Sequence, residues 1–202
     1  MIVFTEYQKN ILEYIIKLST NDSARALSEM TEGSVSLETP KLELISINDI
    51  ANIVGGSEAL VTTVNLLFEG DVPGLISLIF SEQSAFNLVD ILMGNKAGTT
   101  TKLDEMGKSA LGEVGNIVVS HFLKTLGTHA WMKLQPSTPM VVTDMAGAVL
   151  SAAVLSIGGA PEEILFARTV FSDKKRDIES NLLLFVAPTV LKKILEIIEA
   201  RR

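Results

Sequence analysis

Hydrophobic residues recur along the chain with two spacings, which predict helices and strands in alternation. Apolar residues at every third or fourth position indicate helices, and alternating stretches rich in β-branched residues indicate strands. The predicted helices cover about 4–31, 82–94, 103–126, 145–157 and 188–201. The predicted strands cover about 40–46, 59–68, 74–80, 138–144, 164–171 and 178–186. Because hairpins dominate the predicted pairing, we expect an α+β fold with an antiparallel or mixed sheet covered by long helices.

The order of predicted elements occurs twice, and matching residues recur at a spacing of 99. Identical residues at this spacing include Glu6 and Glu105, Leu12 and Leu111, Leu27 and Leu126, Thr39 and Thr138, and Pro40 and Pro139. Further on, the spacing slips to 106, as one inserted loop or helix turn would produce. We therefore predict one internally duplicated domain over 1–202 with pseudo-two-fold symmetry, whose repeats are 1–98 and 99–202.

Composition excludes several classes of function. The 202 residues are 47% hydrophobic, which is enough for a substantial core, and the net charge of −7 gives no sign of a nucleic-acid surface. The chain has no cysteine, so disulfides and thiolate chemistry are excluded. With only two histidines, His121 and His129, a histidine-rich metal site or a Ser-His-Asp triad is poorly supported. We predict no metal site in this chain.

The longest weakly polar stretch, 145–160, falls short of the roughly 20 apolar residues that a membrane span requires. It is bracketed by Asp144 and Pro161 and rich in Ala, Gly and Ser, which favours a buried helix. No secretory signal is visible at the N-terminus. We expect a cytoplasmic protein with no membrane insertion.

The most informative segment is the predicted helix that begins near residue 103. On a helical wheel of about 100° per residue, one broad face is predicted to meet the core, and it comprises Leu103, Met106, Ala110, Val114, Ile117 and Val118. The opposite face comprises Ser109, Gly112, Glu113, Asn116 and Ser120. Since Glu113 and Asn116 are three residues apart, their side chains are neighbours on this face.

Two features of this helix have more than one explanation at this level. Gly112 and Gly115 each cost about 1 kcal/mol relative to alanine, which either close packing of another backbone or close approach of a partner would explain. An exposed Glu–Asn pair, taken alone, is typical of an ordinary solvated helix face.

The spacing of these residues resembles the signature of the CheC, CheX and FliY family of chemotaxis phosphatases, and CheC most of all. That signature is Asp or Ser, three residues, Glu, two residues, Asn, twenty-two residues and Pro. It is met by Ser109, Glu113, Asn116 and Pro139, and the surrounding LDE and ALGEVGNI are also similar to the family. The likeness in length, duplication and element order extends it to essentially the whole chain.

The first repeat carries a degenerate copy of the signature. Asn10, Tyr14 and Lys17 stand at the positions of Ser109, Glu113 and Asn116, while Pro40 matches Pro139. CheC proteins often have two active pairs, so this chain departs from the family. Lysine has no carbonyl with which to accept from water and carries a charge that asparagine lacks. We predict one active site, and the first helix is then either structural or a docking surface without catalysis.

The resemblance implies hydrolysis of the aspartyl phosphate on a CheY-like response regulator. Asn116 would position the attacking water, Glu113 would pair with a lysine beside the phosphorylation site, Ser109 would support Glu113, and Pro139 would have a structural role. Mg²⁺ is expected in the partner, bound by the receiver's own acidic residues. The receptor deamidase CheD is a further partner that the resemblance permits without requiring.

A different class of function is also open: a non-catalytic CheC-like adaptor or flagellar-switch docking module. Family members of that kind can lose the Glu–Asn pair, so the presence of both Glu113 and Asn116 argues for the enzyme.

Of the remaining candidates, His121 is expected to be a packed and satisfied histidine on the apolar helix face, and His129 to lie at the surface in a loop.

Overall fold

The computed structural model describes residues 5–31, 36–37, 41–45, 47–157, 164–173 and 178–200. The helices are α1 (Glu6–Met30), α2 (Ile47–Ile53), α3 (Glu82–Leu92), α4 (Glu105–Ala130), α5 (Ala146–Ser156) and α6 (Pro188–Ala200). The strands are β1 (Ser36–Leu37), β2 (Lys41–Ile45), β3 (Leu60–Gly70), β4 (Gly74–Ser81), β5 (Leu134–Pro136), β6 (Met140–Met145), β7 (Ile164–Asp173) and β8 (Ile178–Val186).

The strands of the described residues form one sheet in the order β1-β7-β8-β4-β3-β5, in which β2 also pairs with β7 and β6 also pairs with β3. Every one of these pairings is antiparallel. The two central strands, β4 and β8, come from opposite halves of the chain and place Leu78 opposite Leu182.

Each half of the chain also gives its first strands to the other half. The pairs β1–β7 and β2–β7 join the first half to the second, and β5–β3 and β6–β3 join the second half to the first. Because the outer strands are exchanged in this way, the two halves share one sheet and do not form two separate folding units.

One face of the sheet carries the larger core, because the long helices α1 and α4 pack against each other above it together with α3 and α6. Alternate residues of β3, β4 and β8 point into this core, among them Val64, Leu66, Ile76, Leu78 and Leu182. The largest fully buried side chain on α4 is Phe122. Burial of apolar side chains on this scale is the main force that fixes α4 on the sheet.

The other face is covered by the short helices α2 and α5, which contact each other. Its smaller core includes Ile50, Ile79, Leu150, Leu183 and Phe185. The stretch at 145–160 therefore contributes a half-buried helix to this layer, with Val149 and Leu150 inward and Leu155 exposed. Among the helices that the structure describes, none is long and apolar enough to cross a bilayer.

The predicted fold class is confirmed, and most element boundaries agree within two residues. The strands β1 and β5 were missed because two or three residues give no readable alternation. The prediction that α4 ends near residue 126 was wrong, since the helix continues to Ala130. Gly127 is an interior helical residue here: a Cβ on it would lie 2.6 Å from the carbonyl oxygen of Met132, where the chain folds back over the helix. The repeat boundaries at 98 and 99 stay a prediction.

Candidate functional site

The helix that carries the predicted site, α4, has a defined beginning and end. The carboxylate of Asp104 caps it by accepting from the backbone N–H of Gly107 at 2.7 Å, which satisfies one of the free N–H groups of the first turn. At the other end Trp131 adopts a left-handed conformation, with φ of 53°, and donates its N–H to the carbonyl of Gly127. His129 therefore lies in the last turn of the helix and not in a loop, although it is exposed as expected.

The buried stripe of α4 differs from the predicted one. It comprises Gly107, Leu111, Gly112, Val114, Gly115, Val118, Val119, Phe122, Leu123, Leu126, Gly127 and Ala130. Met106 was predicted to face the core and is instead 63% exposed. Leu103 precedes the helix, but it packs against the core as predicted. The buried stripe is centred on residues such as Leu111 and Phe122 and not on the predicted face, because α4 packs on both the sheet and α1.

The two central glycines of α4 have different surroundings. A Cβ on Gly115 would overlap the Cγ1 methyl of Val64, so this glycine lets the helix approach strand β3 closely. Gly112 was predicted on the exposed face and is buried. A Cβ there would meet Pro139 Cγ at 3.6 Å and Val141 Cγ2 at 3.7 Å, which is ordinary contact. The packing explanation thus accounts for Gly115, whereas Gly112 has room for a methyl group.

Glu113 and Asn116 lie together on the face of α4 that points away from the core. Glu113 and Ser109 are exposed, and Asn116 is partly exposed. Within the described part of the chain, none of these three side chains makes a hydrogen bond or an ion pair. A carboxylate and an amide are thus presented side by side with their hydrogen-bonding capacity unused, ready for groups on a second molecule.

Pro139 stands directly behind this pair. It immediately precedes strand β6, and its ring lies beside Gly112, the residue before Glu113. The separation in sequence follows from the path of the chain. Helix α4 runs about 20 Å beyond Asn116, and after Trp131 the chain returns through β5 to reach the same level. The distant proline is therefore a neighbour of the helix that carries the Glu–Asn pair.

The degenerate copy lies on α1, which begins with a capping box between Thr5 and Gln8. Tyr14 is 62% exposed, and Asn10 and Lys17 are exposed on the same face. The structure thus places these three residues on the surface of α1 as it places Ser109, Glu113 and Asn116 on that of α4. Pro40 lies outside the described residues.

Helices α1 and α4 are joined by polar contacts that the sequence did not reveal. Ser23 donates its hydroxyl to the carbonyl of Val118 at 2.8 Å. The carboxylate of Asp22 accepts from the hydroxyl of Thr125 at 2.8 Å, and His121 Nδ1 lies 3.4 Å from the same carboxylate oxygen. His121 is therefore a satisfied histidine, as predicted, at the boundary between two helices. Asp22 and His121 are 99 residues apart, which is the spacing of the predicted repeats, so this spacing could have pointed to the contact.

The pKa of the Asp22 carboxyl is lowered. Partial burial would raise it, but the hydrogen bond from Thr125 and the approach of His121 and Arg25 outweigh that effect. Asp22 therefore stays ionised at neutral pH and holds the two helices together. No group of three or more histidine or acidic residues within the described ranges could hold a metal ion.

Comparison with known proteins identifies relatives of this chain. A family model described as chemotaxis phosphatase CheX matches residues 62–157, a range that includes Ser109, Glu113, Asn116 and Pro139. The CheY-P phosphatase CheC of Bacillus subtilis is 29% identical over 185 residues, which is 91% of this chain and 88% of the relative. A putative CheY-P phosphatase CheC1 of Halobacterium salinarum is 24% identical over 59% of this chain and 60% of its own length.

Solved structures with the same fold include proteins with different names. FliY of Thermotoga maritima superimposes with a TM-score of 0.78 at 16% identity, covering 100% of both chains. The middle domain of FliM from H. pylori gives a TM-score of 0.66 at 10% identity, covering 96% of this chain and 99% of that one. At these identities the likeness establishes the fold alone.

Proposed function

We propose that the chain is a chemotaxis phosphatase of the CheC and CheX type, to which it is similar, and that it hydrolyses the aspartyl phosphate of a phosphorylated CheY-like response regulator. The observation that carries the proposal is the Glu113–Asn116 pair, exposed on α4 and without partners among the described residues. The surface of one rigid helix, fixed by Gly115 and Pro139, presents both groups in a constant arrangement.

Asn116 is the residue that positions water. Phosphoryl transfer passes through a loose, in-line transition state, so most of the catalysis is positioning and stabilisation of charge. The side-chain amide can both accept from and donate to a water molecule. Because the amide is neutral, it holds the water in line with the phosphorus–oxygen bond without adding charge to an anionic site. Water then supplies the oxygen of inorganic phosphate, and the aspartate carboxylate of the receiver is the leaving group.

Glu113 sets the docking position. Its exposed carboxylate lies on the same face as Asn116, where it pairs with a cation of the receiver, namely the lysine beside the phosphorylation site. That pairing aligns Asn116 with the phosphoryl group. Ser109 lies one turn before Glu113 and makes no hydrogen bond to it here, so any support that it gives arises in the complex.

Mg²⁺ takes part as a ligand of the receiver's own acidic residues and stabilises the charge on the phosphoryl oxygens. The described residues of this chain offer no acidic cluster for that ion. The chain thus contributes an amide and a carboxylate, and its partner contributes the metal and the phosphoaspartate. Because a response regulator would be its substrate, we propose that the chain acts in the cytoplasm.

The test is the decay of a CheY-type receiver from the same organism that has been charged with acetyl phosphate in the presence of Mg²⁺. We expect the wild-type protein to accelerate decay, and Glu113→Ala and Asn116→Ala each to lose about a hundredfold of that acceleration. Glu58→Ala and Asn52→Ala are matched controls, because both residues are exposed and lie away from α4. Acceleration that survives both site substitutions would show that the chemistry lies elsewhere.

The adaptor function makes a different prediction in the same assay. An adaptor would bind the charged receiver and leave its decay rate unchanged. The fold likeness to the FliM middle domain allows this function, but the unused amide and carboxylate on α4 favour the phosphatase.

Adding CheD to the assay would test the second partner, since an activating partner raises the decay rate at a fixed phosphatase concentration.

A further inference from the structure

The outward face of α4 carries apolar residues beside the Glu113–Asn116 pair. Met106 is 63% exposed, and Ala110 and Ile117 are partly exposed. Positions 106, 110, 113 and 117 are successively three or four residues apart, so their side chains form one row along the helix surface. We call Met106, Ala110 and Ile117 the apolar row. Because Glu113 stands within this row, the apolar surface and the candidate site share one side of the helix.

Packing within the chain does not account for Met106, the most exposed member of the apolar row. The core side of the first turn of α4 is at Gly107, where a Cβ would lie 3.4 Å from Leu103 Cδ2 and 3.5 Å from Val89 Cγ1. Met106 belongs to neither of the two hydrophobic cores that the described residues form. A single exposed apolar residue needs no explanation, but one in line with a candidate site indicates contact with the molecule that binds there.

The charged residues close to Met106 in sequence balance one another. Asp104 caps the helix by accepting from a backbone N–H of the first turn, and Glu105 pairs with Lys108 at 3.0 Å. Lys102 precedes the helix and is exposed. Two acidic and two basic side chains thus surround the start of α4, so no net charge attracts a partner to this end. The methionine is the side chain there from which a partner gains by burying apolar surface.

We propose that Met106 is a specificity-determining residue of the α4 site: it contacts an apolar patch of the receiver and thereby selects which receiver docks. This inference rests on the proposed function. Met106 lies seven residues before Glu113, about 10 Å along the helix, which is within an interface of standard size but away from the reacting atoms. An unbranched, polarisable thioether adapts to the shape of an apolar partner. Met106 therefore stabilises the bound substrate and the transition state equally, while Asn116 serves the chemistry.

The experiment uses the full chain and measures hydrolysis of a CheY-type receiver, charged with acetyl phosphate and Mg²⁺, at several receiver concentrations. Met106→Gln keeps the length and helix propensity of the side chain and removes its apolar end. We expect KM to rise about tenfold with kcat unchanged, because binding common to substrate and transition state is lost. Met106→Leu stays apolar and should keep the wild-type KM. Leu155→Gln is the matched control, since Leu155 is 69% exposed on α5, on the opposite face of the sheet.

Specificity is measured by kcat/KM for two receivers, the CheY-type receiver and a second receiver from the same organism that the wild type hydrolyses more slowly. Met106→Gln is expected to lower kcat/KM about tenfold for the CheY-type receiver and to leave the value for the second receiver unchanged. An equal loss with both receivers would overturn the assignment of specificity to Met106.

Binding of a CheY-type receiver charged with beryllofluoride and Mg²⁺, which cannot be hydrolysed, separates this inference from the proposed function. Weaker binding by Met106→Gln, in a protein whose wild type never accelerates decay, would support the contact and refute the phosphatase. Unchanged binding and unchanged KM in a folded Met106→Gln variant would overturn the inference and leave the phosphatase intact. A fall in kcat at constant KM would also overturn it, because Met106 would then act on the chemical step.

Discussion

The carboxylate of Asp22 and the imidazole of His121 meet across the contact between α1 and α4, with Oδ2 and Nδ1 3.4 Å apart. The two residues are separated by 99 residues, which is the spacing of the predicted repeats. Thr125 donates to the same oxygen, and Arg25 pairs with the other one. One half-buried carboxylate thus joins the helix that carries the candidate site to the helix that carries its degenerate counterpart.

Replacing Asp22 by asparagine is expected to lower the free energy of unfolding by about 1–2 kcal/mol at pH 7, because a charge-assisted hydrogen bond is lost. The pKa of Asp22 is lower in the folded protein than its ordinary value near 3.9. Its contribution is therefore complete above that value and is lost as the pH falls through the lowered folded pKa. Urea unfolding of both proteins at several pH values between 7 and 2 measures the difference.

The difference between wild type and Asp22→Asn should vanish at the acid end of that series. Glu69→Gln, at an exposed position on β3, serves as the control and should change stability little at any pH. A difference that stays constant down to pH 2 would show that the charge of Asp22 does not stabilise the helix contact.

Asp90 is expected to hold the connection between the two halves of the chain. Its buried carboxylate accepts from the backbone N–H groups of Thr99 and Thr100 and from the Thr100 hydroxyl, at 2.6–3.0 Å. Burial would raise the pKa of Asp90, but these hydrogen bonds outweigh it and lower the pKa. We predict that Asp90→Ala lowers the free energy of unfolding by about 2–3 kcal/mol, because three hydrogen bonds to a buried carboxylate are lost.

Thr100→Val removes the hydroxyl alone, so its loss should be about 1 kcal/mol. Thermal unfolding at pH 7 shows which variant is less stable, and we expect it to be Asp90→Ala. Equal losses would mean that the backbone hydrogen bonds to Asp90 contribute nothing beyond the one from the hydroxyl.

Substitution of the two central glycines of α4 by alanine should have opposite effects on stability. The methyl group of Gly115→Ala would overlap Cγ1 of Val64, a fully buried residue of strand β3, and overpacking of this kind costs about 1–3 kcal/mol. Gly112→Ala has 3.6 Å to its nearest neighbour and gains about 1 kcal/mol of helix propensity. Chemical unfolding of both variants shows whether the free energy of unfolding falls in Gly115→Ala and rises in Gly112→Ala.

The same pair tests whether either glycine exists to admit a partner. The methyl group at position 112 would point towards Pro139 and not into the solvent, so Gly112→Ala should keep its phosphatase activity. A stable Gly112→Ala variant that no longer accelerates receiver decay would restore the explanation in which the partner approaches the helix at this glycine.

Local periodicity was enough to predict the α+β class and most of the elements, because nearly every helix and long strand has one apolar face. The helical wheel alone did not predict correctly which face of α4 meets the core. Met106 is as apolar as many core residues, and only the packing of α1 beside α4 decides that it stays outside. The Glu113–Asn116 pair was found through its spacing to Pro139. By contrast, the exchange of strands between the halves depends on long-range pairing, which no local pattern encodes.

If the faces of α1 and α4 share one geometry, catalysis can be transferred from one to the other. We predict that Asn10→Ser, Tyr14→Glu and Lys17→Asn, introduced together into an Asn116→Ala background, recover at least about a tenth of the lost rate of receiver decay. The three substitutions place a carboxylate and an amide three residues apart on an exposed helix face, as on α4. The matched control carries Tyr14→Glu alone in the same background: it supplies the carboxylate without the amide and should stay inactive. Circular dichroism and unfolding establish that each variant is folded, and stopped-flow measurement of phosphorylated receiver gives the rate. A folded triple variant that binds the charged receiver but leaves its decay unchanged would show that an amide at this point of α1 does not reach the attacking water, and the equivalence of the two faces would then extend to docking and not to chemistry.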